Sequence, residues 1–343
     1  MKLYACPACG GTLYFENLVC ACGQEVAYDP QADRMVALAA PCANRREVGC
    51  NWIAEAPDGR CRSCAMTLTR PDEDAPGALS LWSRSEAAKR WVLANMMSLG
   101  WFGDDDPGPR PTFDMLAERT AAGPAQPVMG HANGHITLNI AEADPAEIVE
   151  RRERMGEPYR TVIGHCRHEL AHFLFERLAG RPGFFDAARA VFGDEREDYA
   201  AALERHYAAG PPPDWAERHV SPYASSHPHE DWAETAAHAL HLRDVVESAR
   251  ATGLQMPAAG GAAARAEADD DGDGDGADQA EAVIAEGIDL GIALNHVNRA
   301  MGLEDVYPFV VSPAARQKLI FAQRVIAAGP VDLGPVEATD GSS

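Results

Sequence analysis

The spacing of apolar residues changes along the chain, and each change predicts a different element. The stretch SLWSRSEAAKRWVLANMMSLGW carries Trp82, Trp91, Met96, Met97 and Leu99 near helical spacing, and a loop rich in Asp, Gly and Pro (GDDDPGPRP) follows it. Residues 135–141 (HITLNIA) alternate instead: Ile136, Leu138 and Ile140 point one way, and His135, Thr137 and Asn139 the other, as in a half-buried strand. A long helix is predicted from Arg160 to Ala179, and further helices over 194–208, 228–249, 282–301 and 313–328. In the long helix, at ~100° per residue, Val162, Ile163, Cys166, Leu170, Phe173 and Leu174 gather on one face. His168, Glu169 and His172 gather on the opposite face, which predicts a buried helix turned towards a polar cleft.

The first 70 residues show little helical periodicity and hold eight of the nine cysteines, all between Cys6 and Cys64. The pattern divides the chain into a cysteine-rich region (1–70), an acidic Pro/Gly linker (71–79), a main domain (80–330) and a flexible tail (331–343). Within the main domain, 255–281 is Ala/Gly/Asp-rich and predicts a disordered acidic insertion. Its run DGDGDG imitates an EF-hand loop, but Ala282 stands where the bidentate Glu is required, so a solvated linker is the better reading. No apolar run reaches 18 residues and the N-terminus enters a cysteine motif at once, so neither a membrane span nor a signal peptide is expected and a cytoplasmic location is. The net charge of −22 speaks against a nucleic-acid partner gripped through its phosphates.

Without an export signal, clustered cysteine pairs favour metal thiolates over disulfides. Cys6-Pro-Ala-Cys9 pairs naturally with Cys20-Ala-Cys22, although a zinc ribbon ordinarily has two residues inside the second pair as well. Cys42, Cys50, Cys61 and Cys64 form the second set. Four thiolates close a tetrahedral zinc site, so both sets are expected to be structural. Interleaved pairing, such as Cys6/Cys9 with Cys42/Cys50, stays open at this stage. With as many acidic as basic residues, the region is expected to dock a substrate or partner rather than DNA.

The chemistry-bearing signal is His168-Glu169-Leu170-Ala171-His172. On a helix, residues four apart share a face, so two imidazoles can hold one Zn²⁺ at ~2.0–2.1 Å. Glu169, next to the first ligand, suits a general base that reaches a water without displacing it. A catalytic zinc needs a third protein ligand. The glycine that a longer metzincin motif demands is replaced by Phe175, so the ligand must lie elsewhere. Downstream, Pro228 fits a first helical position, and Glu230 and Glu234 then share a face. Glu230 is the preferred ligand, with Glu234 fixing an imidazole from behind; His227, His229 and Asp198 are its rivals. His165 shares the ligand face and reads as a satisfied cleft histidine, while Cys166 reads as core.

The stretches EPYRTVIGHCRHELAHFLFERL, FGDEREDYAAALERHY, SPYASSHPHEDWAETAAHALHL and NRAMGLEDVYPF, with the cysteine region before them, resemble a bacterial family of zinc-binding metallopeptidases that carry an N-terminal zinc ribbon. The resemblance covers most of the chain outside 255–281. It implies an α+β fold: a mainly helical zincin-like domain with a small edge-stranded sheet, preceded by the ribbon. It further implies a protein or peptide substrate, one catalytic zinc and two structural ones. More distantly, lethal-factor-like gluzincins place a Tyr seven residues before the zinc Glu and a second Glu four after it, the spacing of Tyr223, Glu230 and Glu234 here. By that resemblance Tyr223 donates a hydrogen bond to the oxyanion of the tetrahedral intermediate, and fold analogy makes strand 135–141 a place where an extended substrate pairs. The competing reading is a zinc-binding interaction module without catalysis. A third is a peptidase acting on nucleic-acid-bound proteins, against which the acidic charge speaks.

Overall fold

Turns rather than helices organise the start of the chain. In the computed structural model, which describes residues 2–72, 75, 77–120, 123–125, 130–155, 161–254, 276–307 and 310–330, β1 (Tyr4–Ala5) pairs antiparallel with β2 (Thr12–Leu13), and β3 (Val26–Asp29) with β4 (Arg34–Ala37). Two single-turn helices follow, α1 (Arg45–Val48) and α2 (Arg62–Ala65), then β5 (Thr67–Thr69). The hairpins share an aromatic centre. Tyr28 meets Tyr4 at 5.7 Å and Phe15 at 5.0 Å edge-on, and Trp52 at 5.6 Å. Such pairs add about 0.5–1.5 kcal/mol each beyond their buried area. The cysteine region therefore has a small core of its own besides its thiolates.

That core continues into α3 (Ala78–Met97), where Trp91 meets Phe15 edge-on at 5.5 Å. Two turns of α3 bury charge: Lys89 and Glu86 are both fully buried and 2.9 Å apart. Lys89 also donates to the carbonyl of Ser63 at 3.0 Å and to Thr67 Oγ1, and Thr67 Oγ1 donates to Glu86 Oε1 at 2.7 Å. The ion pair thus ties α3 to the turn between Cys61 and Cys64.

A sheet with strand order β5, β6 (Thr112–Leu116), β10 (His135–Asn139), β9 (Gly130–Ala132) follows, and β7 (Arg119–Thr120) and β8 (Gly123–Pro124) make a separate small pair. β5, β6 and β10 run parallel, with His135 opposite Thr112 and Asn139 opposite Leu116, and β9 runs antiparallel to β10. Ile136 and Leu138 are buried, as the alternation predicts, and Phe113 and Met115 on β6, which it did not cover, are buried too. β9 and β10 are joined by Asn133-Gly134, whose φ angles of 50° and 82° are those of the tight hairpin turn that matches the twist of its strands. The alternating strand lies inside the sheet, with a neighbour on each side, so the edge beyond it is β9. After Asn139 the chain enters a 3₁₀ turn (Ile140–Ala143), which the Asn139 side chain caps by accepting from the Ala141 N–H at 3.0 Å. Then come α4 (Pro145–Met155) and α5 (Val162–Leu178). Arg177, near the end of α5, donates to both oxygens of Asp106 at 2.7 Å and lies over Trp101. Gly108 leaves the room for it, since a Cβ there would come within 1.9 Å of Arg177 Nη2.

The chain gathers into two units, residues 2–177 and the residues from 178 on. The second holds α6 (Phe184–Phe192), α7 (Tyr199–Ala209), α8 (Pro228–Thr252), α9 (Gly276–Ala300) and α10 (Pro313–Ala327). The last three pack on one another, and Phe184, Phe192, Trp232 and Phe321 interlock edge-on. Asp231 on α8 and Lys318 on α10 form a buried ion pair at 2.5 Å. The helix predicted over 194–208 begins only at Tyr199, as α7, and α6 before it falls outside any predicted helix. Residues 276–281, read as part of the acidic insertion, form the first turns of α9; 255–275 and the 331–343 tail lie outside the described residues. The result is an α+β chain, about half helical. Among the described residues no helix is long and apolar enough to cross a membrane.

Lys89→Met should lower stability by about 3–5 kcal/mol, because it strands a buried carboxylate. The double change Glu86→Leu with Lys89→Met should recover most of that loss. Urea unfolding of the two variants checks this, and a double variant no more stable than the single one contradicts it.

Candidate metal centres

Each cysteine set gathers as the simpler pairing predicts: Cys6, Cys9, Cys20 and Cys22 together, and Cys42, Cys50, Cys61 and Cys64 together. Local turns do the gathering. Cys6 and Cys20 each accept, at 2.9 Å, from the glycine N–H that closes the loop after them (Gly10, Gly23). Backbone N–H groups aim at sulfur: Gly11 at Cys9 Sγ (3.4 Å), Cys61 at Cys42 Sγ (3.2 Å) and Cys64 at Cys61 Sγ (3.3 Å). The sulfur–sulfur distances are 3.8 and 3.7 Å in the first set and 3.5 and 3.7 Å in the second. Two thiolates at ~2.3 Å from a tetrahedral zinc stand about 3.8 Å apart, so both sets fit that ion. With its single-residue spacer, Cys20-Ala21-Cys22 still brings both sulfurs into the first set. The sets differ in exposure: Cys9 and Cys22 are open to solvent, whereas all four sulfurs of the second set are buried. The Cys9 N–H beside Cys6 draws its thiol down to about 7, towards the ligating form.

On α5, His168 and His172 face each other one turn apart, with Nε2 atoms 3.2 Å apart. Ligands at ~2.0–2.1 Å on a tetrahedral zinc are separated by about 3.3 Å, so the two rings already have the bite of a chelate. The helix is buried on more sides than its apolar face alone requires: Cys166, Leu170, Phe173 and Leu174 are buried, and so are His168 and Glu169. Burial pushes the Cys166 thiol up to about 12, as befits a core cysteine. Phe173 packs on Phe102 and on the ring of His131, and His131 stacks on His172 at 6.5 Å.

Glu169 meets His165, one turn before it: His165 Nε2 lies 3.0 Å from Glu169 Oε1, and His165 Nδ1 is hydrogen-bonded to Glu142 in the 3₁₀ turn after β10. Burial alone would push Glu169 up, but the hydrogen bond from His165 and the charges of the neighbouring rings outweigh it and hold the carboxyl below its ordinary value. Burial would likewise discharge His165, yet its two carboxylates raise it to about 9. His165 is thus satisfied, as read, but by a partner that no spacing announces.

In the second unit, Pro228 opens α8 at its first position and His227 caps it, its Nδ1 accepting from the His229 N–H at 3.0 Å. His227 Nε2 lies 3.1 Å from the carbonyl of Glu197, so both its nitrogens are engaged. Asp198 caps α7. Two of the rivals to Glu230 therefore already have structural duties. Glu230, 1% exposed, accepts from Tyr199 Oη at 2.6 Å, a contact the sequence reading missed. Glu234, one turn on, accepts from Ser221 Oγ at 2.6 Å. Tyr223 sits in the 3₁₀ turn before α8, and burial, followed by the nearby Glu230 charge, raises its phenol well above the ordinary value, so it remains a donor.

A family model described as "Putative zinc-binding metallo-peptidase" matches residues 78–325, and a zinc-ribbon model matches 3–41. Uncharacterized proteins of Mycobacterium bovis and of two Mycobacterium tuberculosis strains, CDC 1551 and H37Rv, are 36% identical over 350 residues, which take in 98% of this chain and 99% of each relative. No solved structure matches.

In the zinc-loaded protein, a thiol-alkylating reagent should label Cys9 and Cys22 well before Cys42, Cys50, Cys61 or Cys64. Peptide mass spectrometry over a time course measures the order, and equal rates in the two sets would contradict the difference in burial.

Proposed function

Since the chain belongs to the zinc-binding metallo-peptidase family whose model spans its larger part, we propose that it hydrolyses peptide bonds in a protein or peptide substrate, with Glu169 as general base. One zinc ion is assigned to His168, His172 and Glu230 on the chemistry of the sequence, two imidazoles one helical turn apart and a downstream carboxylate. Two further zinc ions close the cysteine sets, one on Cys6, Cys9, Cys20 and Cys22 and the other on Cys42, Cys50, Cys61 and Cys64. The observation that carries the reading is the 3.2 Å separation of the two imidazole nitrogens on α5, which also carries the buried Glu169.

Bound zinc supplies Lewis acidity: it polarises a carbonyl and brings water towards ionisation near neutral pH. The protein's own groups do the rest. Glu169, kept ionised by its surroundings, takes a proton from the attacking water and passes it to the leaving amine. Tyr223, kept protonated, donates to the oxyanion of the tetrahedral intermediate. Tyr199 and Ser221 fix the carboxylates of Glu230 and Glu234 through their hydroxyls. Glu234 steadies the site from behind the first ring of ligands.

Glu169→Gln should cut turnover of a quenched-fluorescent peptide library by about 10²–10⁴-fold while zinc content stays near three per chain. His168→Ala and Glu230→Ala should each lose one zinc and all turnover. Metal analysis beside the peptide assay decides the matter. A wild type that binds three zinc ions and cleaves nothing would favour the interaction module instead.

A further inference from the structure

The general base has two oxygens, and the structure treats them differently. Glu169 Oε1 is engaged by His165 Nε2 at 3.0 Å, whereas Oε2 is buried with no hydrogen-bond partner among the described residues. We propose that Glu142 and His165 are positioning residues: they clamp one oxygen of Glu169 and so leave the other pointed at the proton it must move. The role rests on the peptidase reading above.

Three features support a clamp over a buried histidine that merely found partners. First, His165 and Glu169 are four residues apart on α5 and share a face, so the contact is fixed by the helix itself. Second, the other ring nitrogen is taken by Glu142, which leaves the imidazole one orientation; a ring held at one end only could rotate away. Third, the clamp is sheltered: Glu142 and Glu169 are each 5% exposed, so water competes poorly for either carboxylate. Glu142 is itself placed by rigid structure, since β10 ends at Asn139 and the Asn139 cap starts the turn that carries it. The need for such a clamp follows from the side chain. The last torsion of a glutamate is broad and roughly two-fold, so an unheld carboxylate samples orientations in which neither oxygen faces the reacting proton.

The test uses the zinc-loaded full chain and the same peptide library. His165→Phe and Glu142→Ala should lower kcat by about ten- to a hundredfold, with KM changed less than twofold and three zinc ions retained. His165→Gln, which keeps a donor on that face, should recover part of the loss. Should His165→Phe fail to fold, Glu142→Gln carries the test. A readout without turnover accompanies it: proton NMR of the wild type should show a low-field, exchange-protected ring proton from His165, lost in Glu142→Ala. Unchanged kcat, or a loss confined to KM or to zinc content, overturns the positioning role while leaving the peptidase reading intact. A wild type that cleaves no peptide overturns the peptidase reading and this role with it, and the ring proton then reports a structural bridge only.

Discussion

Everything in the first unit's chemistry depends on holding two imidazoles a single helical turn apart. Nitrogens 3.2 Å apart across one helical turn require each ring to be held in one of its several rotamers. The spacing persists because α5 is clamped. Phe173 is wedged between Phe102 and His131, and Cys166, Leu170 and Leu174 are buried. Arg177 fixes the helix end to Asp106 with two charge-assisted hydrogen bonds. A rigid helix turns a flexible pair of ligands into a preformed bite, so little ordering remains to oppose metal binding.

Burying that helix brings carboxylates in with it, and each has at least one oxygen that accepts a hydrogen bond. Glu169 is matched by His165, and His165 by Glu142. In the second unit Glu230 is matched by Tyr199, and Glu234 by Ser221. The cysteine sets solve a simpler problem. Four thiolates exhaust a tetrahedral ion, so they offer shape and no chemistry, whereas two imidazoles on one helix would leave positions open on theirs. The ribbon is also more than its sulfurs: its aromatic centre runs into α3, and the Lys89–Glu86 pair anchors the turn that carries Cys61 and Cys64.

What could be read from the sequence followed from short-range rules. The i, i+4 relation placed His168 and His172 on one face, alternation found the strand at Ile136 and Leu138, and the loop spacing of Cys6, Cys9, Cys20 and Cys22 found the first thiolate set. The α+β class and the zinc-ribbon and metallopeptidase resemblance were legible too. What escaped was set by distance along the chain. Glu142 reaches His165 across 23 residues and Tyr199 reaches Glu230 across 31, and no periodicity encodes such pairs. α6 was lost because its apolar face is short, and the start of α9 was lost because acidic, alanine-rich composition resembles a linker. Asp198 and His227 looked like ligands by residue type; Asp198, placed inside a helix over 194–208, proves to be the cap of α7, and His227, just before Pro228, the cap of α8.

The measurement that bears most directly on the imidazole pair is anomalous scattering at the zinc edge from crystals of the protein grown with zinc. A peak is expected within bonding distance of both Nε2 atoms, of His168 and of His172, in addition to one peak inside each cysteine set. Peaks in the cysteine sets alone, with the two rings bonded to each other or to water, would contradict it.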